Sequence, residues 1–380
     1  MNNQKIIYII SIFFVCFIIF GCGKQEYSRV LVQIDSLSNV RPDSAIKSLQ
    51  ELEGQTQKLS KADQMYYKLL KIKADDKAYI QHKSDKDILQ IVNYFEKEND
   101  KELLPWAYYY AGSVYRDLND AEQSLDYFYK AQNSTDNPYV KGLCNVAIGY
   151  IFWDREMYNI AGNSFLSAYK YDKQRNDVEG MIFDLRDIGR NYWERRMVDS
   201  TFFYFLKGLH LAMINHNKRM TSSLKLQMAV VYIQQSKYIK ARKCLNECLE
   251  NIDSAELFTY HHVLASYYVH VNKKDSAAIH YLKSFNSNNI YTKLEASTFL
   301  TNYFNELGNV SQTKFFFHQQ DSLKTNLAKT QKTEQLVMKK YQLDNKQSKS
   351  FYWYLVILVI LVLILSGLYI QYSVNNYVIV

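Results

Sequence analysis

The stretch that decides the fold class is residues 145–168, which read NVAIGYIFWDREMYNIAGNSFLSA. Small residues stand at Gly149 and Ala168, and aromatic residues stand at Phe152 and Phe165. This spacing favours two antiparallel helices, because a small residue lets the partner helix approach closely and an aromatic ring fills the space beside the contact. We therefore predict a helical hairpin in this segment.

The same frame recurs along the chain. Its aromatic position falls at Tyr115, Phe152, Tyr192, Tyr232, Tyr268 and Tyr303. Consecutive copies are separated by 37, 40, 40, 36 and 35 residues, and the last copy is degenerate, with Leu300 in the small position. Because one hairpin cannot cover its own apolar face, several must stack. The repetition predicts an all-α solenoid.

The composition agrees with long helices. The chain has 380 residues but only 3 Pro and 12 Gly, and sheet-rich folds need more turn residues than this. We therefore expect helices joined by tight connections. Hydrophobic residues make up 48% of the chain and aromatic residues 15%, which is enough for a core and argues against intrinsic disorder.

The repeats resemble the tetratricopeptide repeat, whose pattern is an aromatic residue, Leu-Gly, Tyr, Ala, Phe, Ala and Pro over about 34 residues. The copy with Gly112 and Ala131 and the copy with Gly149 and Phe165 carry this resemblance best. The resemblance implies a tetratricopeptide-repeat α-solenoid with a protein or peptide ligand in its groove. Since the spacing here exceeds about 34 residues, we expect extended connections between the repeats.

The wider chain is similar to tetratricopeptide-repeat membrane lipoproteins of Bacteroidetes-type bacteria, a group of sensor-like and regulator-like proteins. The strings Arg41-Pro42-Asp43-Ser44-Ala45, Asp76-Lys77-Ala78-Tyr79 and Tyr108–Arg116 carry this resemblance. The predicted division is 1–21 a signal peptide of the lipoprotein type, 22–104 irregular helical repeats, 105–322 tetratricopeptide repeats, 323–350 a helical stalk, 351–372 a transmembrane helix and 373–380 a short tail.

The amino-terminal segment is typical of an export signal. Lys5 is followed by Ile6–Phe20, which is 15 residues long and uncharged, and then by Gly21 and Cys22. The string Ile19-Phe20-Gly21-Cys22 resembles a lipobox, which implies cleavage and a lipid on Cys22. An uncleaved signal anchor, with Cys22 as an ordinary thiol, is the alternative.

The carboxy-terminal segment predicts a transmembrane helix. Phe351–Ile370 is 20 residues long and uncharged, and aromatic residues stand at both of its ends. At about 1.5 Å per residue it can cross roughly 30 Å of hydrocarbon. The basic residues Lys339 and Lys340 precede it, which would favour a cytoplasmic position for the repeats. We give the export signal precedence and expect an inner-membrane protein whose repeats face the periplasm.

Members of the similar group typically continue beyond the transmembrane helix into a cytoplasmic coiled coil, often with a helix-turn-helix domain. Only Gln371–Val380, ten uncharged residues, follows here. We therefore expect either an output on another chain or a shortened member of the group. The stalk carries an imperfect apolar stripe, whereas a heptad coiled coil would need cleaner a and d positions.

The sequence lacks the motifs of several common chemical functions. We find no Gly-rich phosphate loop, no His-Glu-x-x-His pair and no Gly-x-Ser-x-Gly elbow, so we predict no enzyme and no cofactor. The net charge of +8 is spread without a long basic stripe, so we expect no nucleic-acid partner. His261, His262 and His270 lie near Cys244 and Cys248 in sequence, which makes a zinc site conceivable. Cys248 is also explained as the small residue of its repeat.

The candidate binding residues lie on the first helix of each pair, which lines the concave face of such a solenoid. They are Tyr109, Arg116, Tyr150, Trp153, Arg186, Arg190, Trp193 and His262. Arg186, Arg190 and Trp193 are spaced i, i+4 and i+7, so they share one stripe, and Arg and Trp are common in binding hot spots. We predict binding of an acidic or carboxylate-bearing peptide. The alternative is that the tryptophans are inter-repeat core and the arginines are solvated.

Two functions therefore remain open. The first is a membrane-anchored sensor that binds a peptide or protein partner and signals that state across the membrane. The second is a static scaffold for an envelope protein complex.

Overall fold

The computed structural model describes residues 27–249, 251–252 and 256–328, together with seven positions between 357 and 367. These residues form α-helices and a 3₁₀ segment, and no strand occurs among them. The chain divides into two compact units, the first ending at Asn119 and the second beginning at Asp120.

The first unit is built from α-helices and one short 3₁₀ helix. In chain order its elements are α1 (Arg29–Val40), α2 (Pro42–Leu52), the 3₁₀ helix Glu53–Lys58, α3 (Lys61–Lys77), α4 (Lys86–Glu98) and α5 (Leu104–Asp117). Leu31, Leu49 and Leu70 of α1 to α3 meet in one apolar core. Pro42 stands in the first turn of α2, where a missing N–H costs nothing.

The second unit is a succession of antiparallel helix pairs. Its elements are α6 (Ala121–Asn133), α7 (Pro138–Trp153), α8 (Tyr158–Gln174), α9 (Val178–Glu194), α10 (Val198–Ile214), α11 (Lys218–Gln234), α12 (Tyr238–Leu249), α13 (Leu257–His270), α14 (Lys274–Ser284), α15 (Ile290–Glu306) and a helix over 310–328. α7 packs on α8, α9 on α10, α11 on α12 and α13 on α14. The predicted all-α hairpin repeat is confirmed. The first predicted copy is divided between the units, because Gly112 lies on α5 and Ala131 on α6.

Two glycines have the predicted role of letting the helices of a pair approach. A Cβ atom built on Gly149 of α7 would lie 2.5 Å from the ring of Phe165 on α8. The same holds for Gly189 and Phe205 one repeat later, again at 2.5 Å. Any side chain at these positions would overlap the phenyl ring, so the small residue and the aromatic residue pack as a pair.

The 40-residue step comes from long helices and not from long connections. α8 to α11 contain 17 residues each, and only three residues separate each helix from the next. Asp177 and Asn217 are each the last residue of a connection and also the N-cap of the helix that follows. Their side chains accept hydrogen bonds from the N–H groups of Gly180 and Met220, respectively. The connections are short because one residue serves both purposes. The expectation of extended connections is wrong, and that of tight connections is confirmed.

The turn inside each hairpin has one recurring conformation. One residue of each such turn has a left-handed backbone conformation; these residues are Glu156, Arg196, Ser236, Asn272 and Gly308. The residue after it donates its N–H to a carbonyl five residues back, as Met157 does to Phe152 at 2.9 Å.

This turn corrects the register of the last copy. There the N–H of Asn309 bonds to the carbonyl of Phe304 at 2.9 Å. The aromatic position therefore belongs to Phe304, which stacks on the buried Phe316, and its assignment to Tyr303 was wrong by one residue.

The predicted membrane segments fall almost wholly outside the described residues. The signal peptide 1–21 and Cys22 lie outside them, as does the stalk beyond residue 328. Only seven positions of the predicted transmembrane helix are described. Across the part of the chain that is described, no helix is both long enough and apolar enough to span a bilayer.

Candidate functional site

Tyr150, Trp153, Arg186 and Arg190 gather around the buried carboxylate of Asp187, and we call these five residues of α7 and α9 the Asp187 cluster. The Tyr150 hydroxyl donates to Asp187 Oδ2 at 2.5 Å. Arg186 Nε and Arg190 Nη1 donate to Asp187 Oδ1 at 3.0 and 3.4 Å. The guanidinium of Arg190 also lies 4.9 Å from the ring centroid of Trp153. The structure therefore brings together four of the predicted residues, Tyr150, Trp153, Arg186 and Arg190.

Electrostatics keep this carboxylate ionised although it is buried. Burial alone would raise the pKa of Asp187, but the positive charges of Arg186 and Arg190 and the Tyr150 hydrogen bond hold the pKa below its ordinary value. The same burial, together with the negative charge of Asp187, raises the pKa of Tyr150. Tyr150 therefore stays a hydrogen-bond donor at any physiological pH.

Arg186 continues the polar contacts into the following repeats. Its Nη1 donates to Ser223 Oγ of α11 at 3.2 Å and lies 3.6 Å from Glu256 Oε1, just before α13. Ser223 in turn donates to Glu256 at 2.6 Å. Consecutive first helices are thus joined through polar side chains, and Arg186 is a connector between repeats.

The two arginines differ in how much of each remains exposed. The side chain of Arg186 is 13% exposed and that of Arg190 is 33% exposed. Arg190 makes its long contact with Asp187 and its stacking contact with Trp153, and donors remain on its outer edge. Of the two arginines, Arg190 is the one that can meet a ligand.

The tryptophans contact the hairpin cores as well. Trp153 makes an edge contact with Tyr158 at 5.7 Å and a tilted contact with Phe165 at 6.1 Å. Trp193 packs beside the core cluster that contains Phe205. Trp153 therefore bridges the core and Arg190, whereas Trp193 packs against the core.

The other predicted residues are not members of the Asp187 cluster. His262 is on α13, where its Nε2 lies 3.2 Å from Glu295 Oε2. Tyr109 and Arg116 belong to the first unit, where Tyr109 is buried and Arg116 pairs with Asp76 at 3.0 Å. His262 makes no contact with the Asp187 cluster among the contacts that the described residues show.

Three residues of the network were missed by sequence reasoning: Asp187, Ser223 and Glu256. Asp187 is adjacent to Arg186 and three residues before Arg190, so it lies between them on the helix surface. It also follows Tyr150 by 37 residues, about one repeat. That spacing could have identified it, since residues one repeat apart on first helices are neighbours.

The zinc site considered from the sequence does not form among the described residues. No three His, Cys, Asp or Glu side chains converge there in a way that could hold a metal ion. Cys248 is buried in the small position of its repeat, with its thiol against the carbonyl of Leu245.

Comparison with solved structures shows the same fold. No protein-family model matches this chain, and no curated protein matches its sequence. NprR in complex with its cognate peptide NprX is 14% identical with a TM-score of 0.56, and the match covers 82% of this chain and 97% of that one. The apo form of RapI is 14% identical with a TM-score of 0.54, covering 79% and 98%.

A third similar structure is a Rap protein complexed with Competence and Sporulation Factor, at 14% identity and a TM-score of 0.52, covering 79% of this chain and 98% of that one. At this identity the likeness concerns the fold alone. The chain therefore has the tetratricopeptide-like fold of stacked antiparallel helix pairs.

Proposed function

We propose that this chain binds a peptide or protein partner on the face formed by the first helices α7, α9 and α11, at the Asp187 cluster. The observation that carries the proposal is the stacking of Arg190 on Trp153 with a third of the arginine side chain exposed. A rigid aromatic ring beside an arginine held in place by a buried carboxylate is the kind of site at which binding energy concentrates.

The comparisons favour a ligand of peptide size. By their names, NprR was captured with the peptide NprX, and Rap proteins with Competence and Sporulation Factor and with the peptide Phr*. These proteins share the helix-pair fold with this chain at 14% identity. They support an extended peptide as the occupant, and the identity of that peptide must come from the residues here.

Those residues favour a carboxylate on the ligand. Arg190 can hold a carboxylate through two parallel hydrogen bonds, because its contact with Asp187 occupies one nitrogen only. Arg186 already donates to Asp187 and Ser223 and pairs with Glu256, so it holds the helices in register. We assign ligand contact to Arg190 and Trp153, and a supporting role to Arg186.

The test measures partner capture by the full chain in detergent. Arg190→Ala removes the exposed guanidinium and leaves Asp187 paired with Arg186, so the fold is kept. We expect capture of envelope proteins or peptides to weaken by about thirtyfold, corresponding to a hot-spot loss of about 2 kcal/mol. Arg190→Lys should recover little of it, because an ammonium group cannot make the two parallel bonds.

The matched control is Arg195→Ala, which removes an exposed arginine at the end of the same helix. It should leave capture unchanged. Undiminished capture by a folded Arg190→Ala variant would place the binding site elsewhere on the chain.

We further propose that the repeats are held at the membrane as a periplasmic sensor, through a lipid on Cys22 and the apolar segment 351–372. The support is the lipobox-like string and the uncharged run of 20 residues. Incorporation of labelled palmitate should be lost in Cys22→Ser, and labelling equal to wild type would rule out lipidation there. A static scaffold would bind a partner without any change in an output across the membrane.

A further inference from the structure

Arg242 of α12 is an arginine without an acidic partner among the described residues. The acid of its own helix, Glu247, pairs instead with Lys225 at 2.8 Å. The guanidinium carbon of Arg242 lies 5.8 Å from the ring centroids of both Tyr267 and Tyr268 on α13. These two rings hold the guanidinium in place without neutralising its charge.

The hydroxyl of Tyr268 places a second donor beside this guanidinium. Arg242 Nη1 donates to the Tyr268 oxygen at 3.3 Å, so the hydroxyl proton is left to donate elsewhere, and no acceptor for it lies within the described chain. The Nε and Nη2 atoms of Arg242 have no partner there either, and neither atom is buried. Two side chains in contact therefore carry donors that no described group accepts, and those of Arg242 are open to solvent.

Positive charge is in excess around these donors. The ring of His280 on α14 stacks on Tyr268, with 5.6 Å between the centroids and 15° between the planes. Burial and then the surrounding positive charges, among them those of Lys283 and Arg242, lower the pKa of His280 to about 4. Lys283 is exposed one turn after His280 and makes no ion pair within the part of the chain that is described. An anion at this place would meet two cations that have no counter-ion.

The two histidines of this region supply a further neutral donor. His280 Nδ1 lies 3.0 Å from His261 Nδ1 on α13, so one of these nitrogens donates and the other accepts. The accepting ring is neutral and carries its own proton on Nε2. Neither Nε2 has a partner among the described residues, and neither is buried. Whichever way the shared proton points, one Nε2–H of the pair faces solvent.

We propose that the surface formed by Arg242, Tyr268, His280 and Lys283 binds a phosphate group, held by the free nitrogens of Arg242 and by the Tyr268 hydroxyl. This is a second ligand site, separate from the Asp187 cluster and built from other residues. The planar fork of Arg242 can hold two oxygens through parallel hydrogen bonds, and Tyr268 offers a donor to a third. A phosphate monoester has three such oxygens and a charge of about −1.5 to −2 near pH 7, whereas a carboxylate has two oxygens and one charge. The source would be free phosphate or a phosphate monoester.

The experiment is titration calorimetry of the full chain in detergent, at constant pH and ionic strength, with inorganic phosphate, phenyl phosphate and benzoate as probes. The chain carries Arg190→Ala, so that anion binding at the Asp187 cluster does not contribute to the heat. At least one phosphate probe should bind, and benzoate, with one charge and two oxygens, should bind at least about tenfold more weakly. Binding of inorganic phosphate alone would identify free phosphate as the ligand, and binding of phenyl phosphate would identify a monoester.

The decisive variant is Tyr268→Phe, which keeps the ring and removes only the hydroxyl. It should fold, since Phe152 occupies the same position of another repeat, and it should weaken the phosphate probe by about tenfold, as loss of a hydrogen bond to a charged group does. Arg242→Gln, which also removes the charge, should weaken the probe further. Lys240→Gln is the matched control, because Lys240 is an exposed cation of the same helix that takes no part in the proposed surface. It should leave binding unchanged.

Three results would overturn the proposal. One is failure of both phosphate probes to bind the folded chain at millimolar concentration. The second is phosphate binding that Tyr268→Phe leaves unchanged, which would place the bound group away from the Arg242–Tyr268 contact. The third is benzoate binding as tight as that of phenyl phosphate, which would make this surface a general carboxylate site.

Discussion

The same place in two successive repeats is filled by carboxyl groups in one and by apolar side chains in the next. Between α8 and α9, Asp172 lies against Asp184, which is only 2% exposed. Room for Asp172 comes from two glycines: a Cβ on Gly142 would lie 3.1 Å from one of its oxygens, and a Cβ on Gly180 would overlap the other.

Forty residues later, all four positions are apolar. Ala212 and Leu224 replace the two acids, Ile182 and Met220 replace the two glycines, and the four belong to one buried core cluster. In the first repeat the two glycines make room for the carboxyl groups, and in the second repeat larger apolar side chains occupy the corresponding positions. The helix-pair fold therefore accepts either polarity at this place.

The largest expected effect comes from giving the acidic repeat one residue of the apolar repeat. Gly180→Met places a long side chain where the Asp172 carboxylate lies. Overpacking costs about 1–3 kcal/mol, and we expect the upper end because the displaced group is charged. Urea unfolding of the full chain in detergent, followed by circular dichroism, measures the loss.

The control for this change completes the exchange. Gly180→Met combined with Gly142→Ile, Asp172→Ala and Asp184→Leu recreates the neighbouring cluster and should recover the lost stability. A Gly180→Met chain as stable as wild type would show that Gly180 is not needed to make room for Asp172.

The Gly–aromatic pairs show how much of the fold was predictable. Gly149 was predicted to admit the partner helix because the small position recurs at fixed spacing, and the structure places Phe165 of that helix against it. The turn residue at Gly308 shows that Phe304, and not Tyr303, is the repeating aromatic, and two adjacent aromatic residues gave no basis for choosing. The length of the connections was mispredicted because a longer period can lengthen either helices or links, and only the caps at Asp177 and Asn217 settle which.

The site was predictable in part for a similar reason. The repeat frame placed Arg190 and Trp153 on the same predicted face, and they are in contact. The contacts of Arg186 with Asp187 and Glu256 could not be predicted from the sequence, because they depend on which first helices are neighbours.

The second prediction concerns pH and the acidic repeat. Burial and the neighbouring carboxylates of Asp172 and Asp187 raise the pKa of Asp184 from 3.8 to about 9, so in the folded chain it holds a proton that the unfolded chain releases. Stability should therefore fall as the pH rises from about 4 towards about 9. Arg175, which faces Asp172 at 3.5 Å, offsets one charge of the pair but not both.

Asp184→Asn tests this directly, because an amide can donate to Asp172 at every pH. We expect a gain of about 1–2 kcal/mol near pH 8, the cost of a poorly satisfied buried polar group, and a flatter stability profile against pH. Asp199→Asn, an exposed acid in the first turn of α10, is the control and should not flatten the profile. A variant whose profile runs parallel to that of wild type would show that Asp184 is not the titrating group.

The smallest expected effect concerns the turns inside the hairpins. There the same backbone conformation is adopted by different residue types in different repeats. Arg196 and Gly308 both have left-handed backbone, with φ of 61° and 69°. Only glycine adopts this region without a steric cost from Cβ, which is about 1 kcal/mol for other residues. Arg196→Gly removes that steric cost but also raises the conformational entropy of the unfolded chain, which offsets roughly half of the gain in stability. We expect a net gain of about 0.5 kcal/mol in urea unfolding, with Gly308→Ala losing about 0.5 kcal/mol by the same reasoning. A loss of stability in Arg196→Gly would mean that the Arg196 side chain supports its turn through contacts of its own, and the turns would then differ from repeat to repeat as the two cores do.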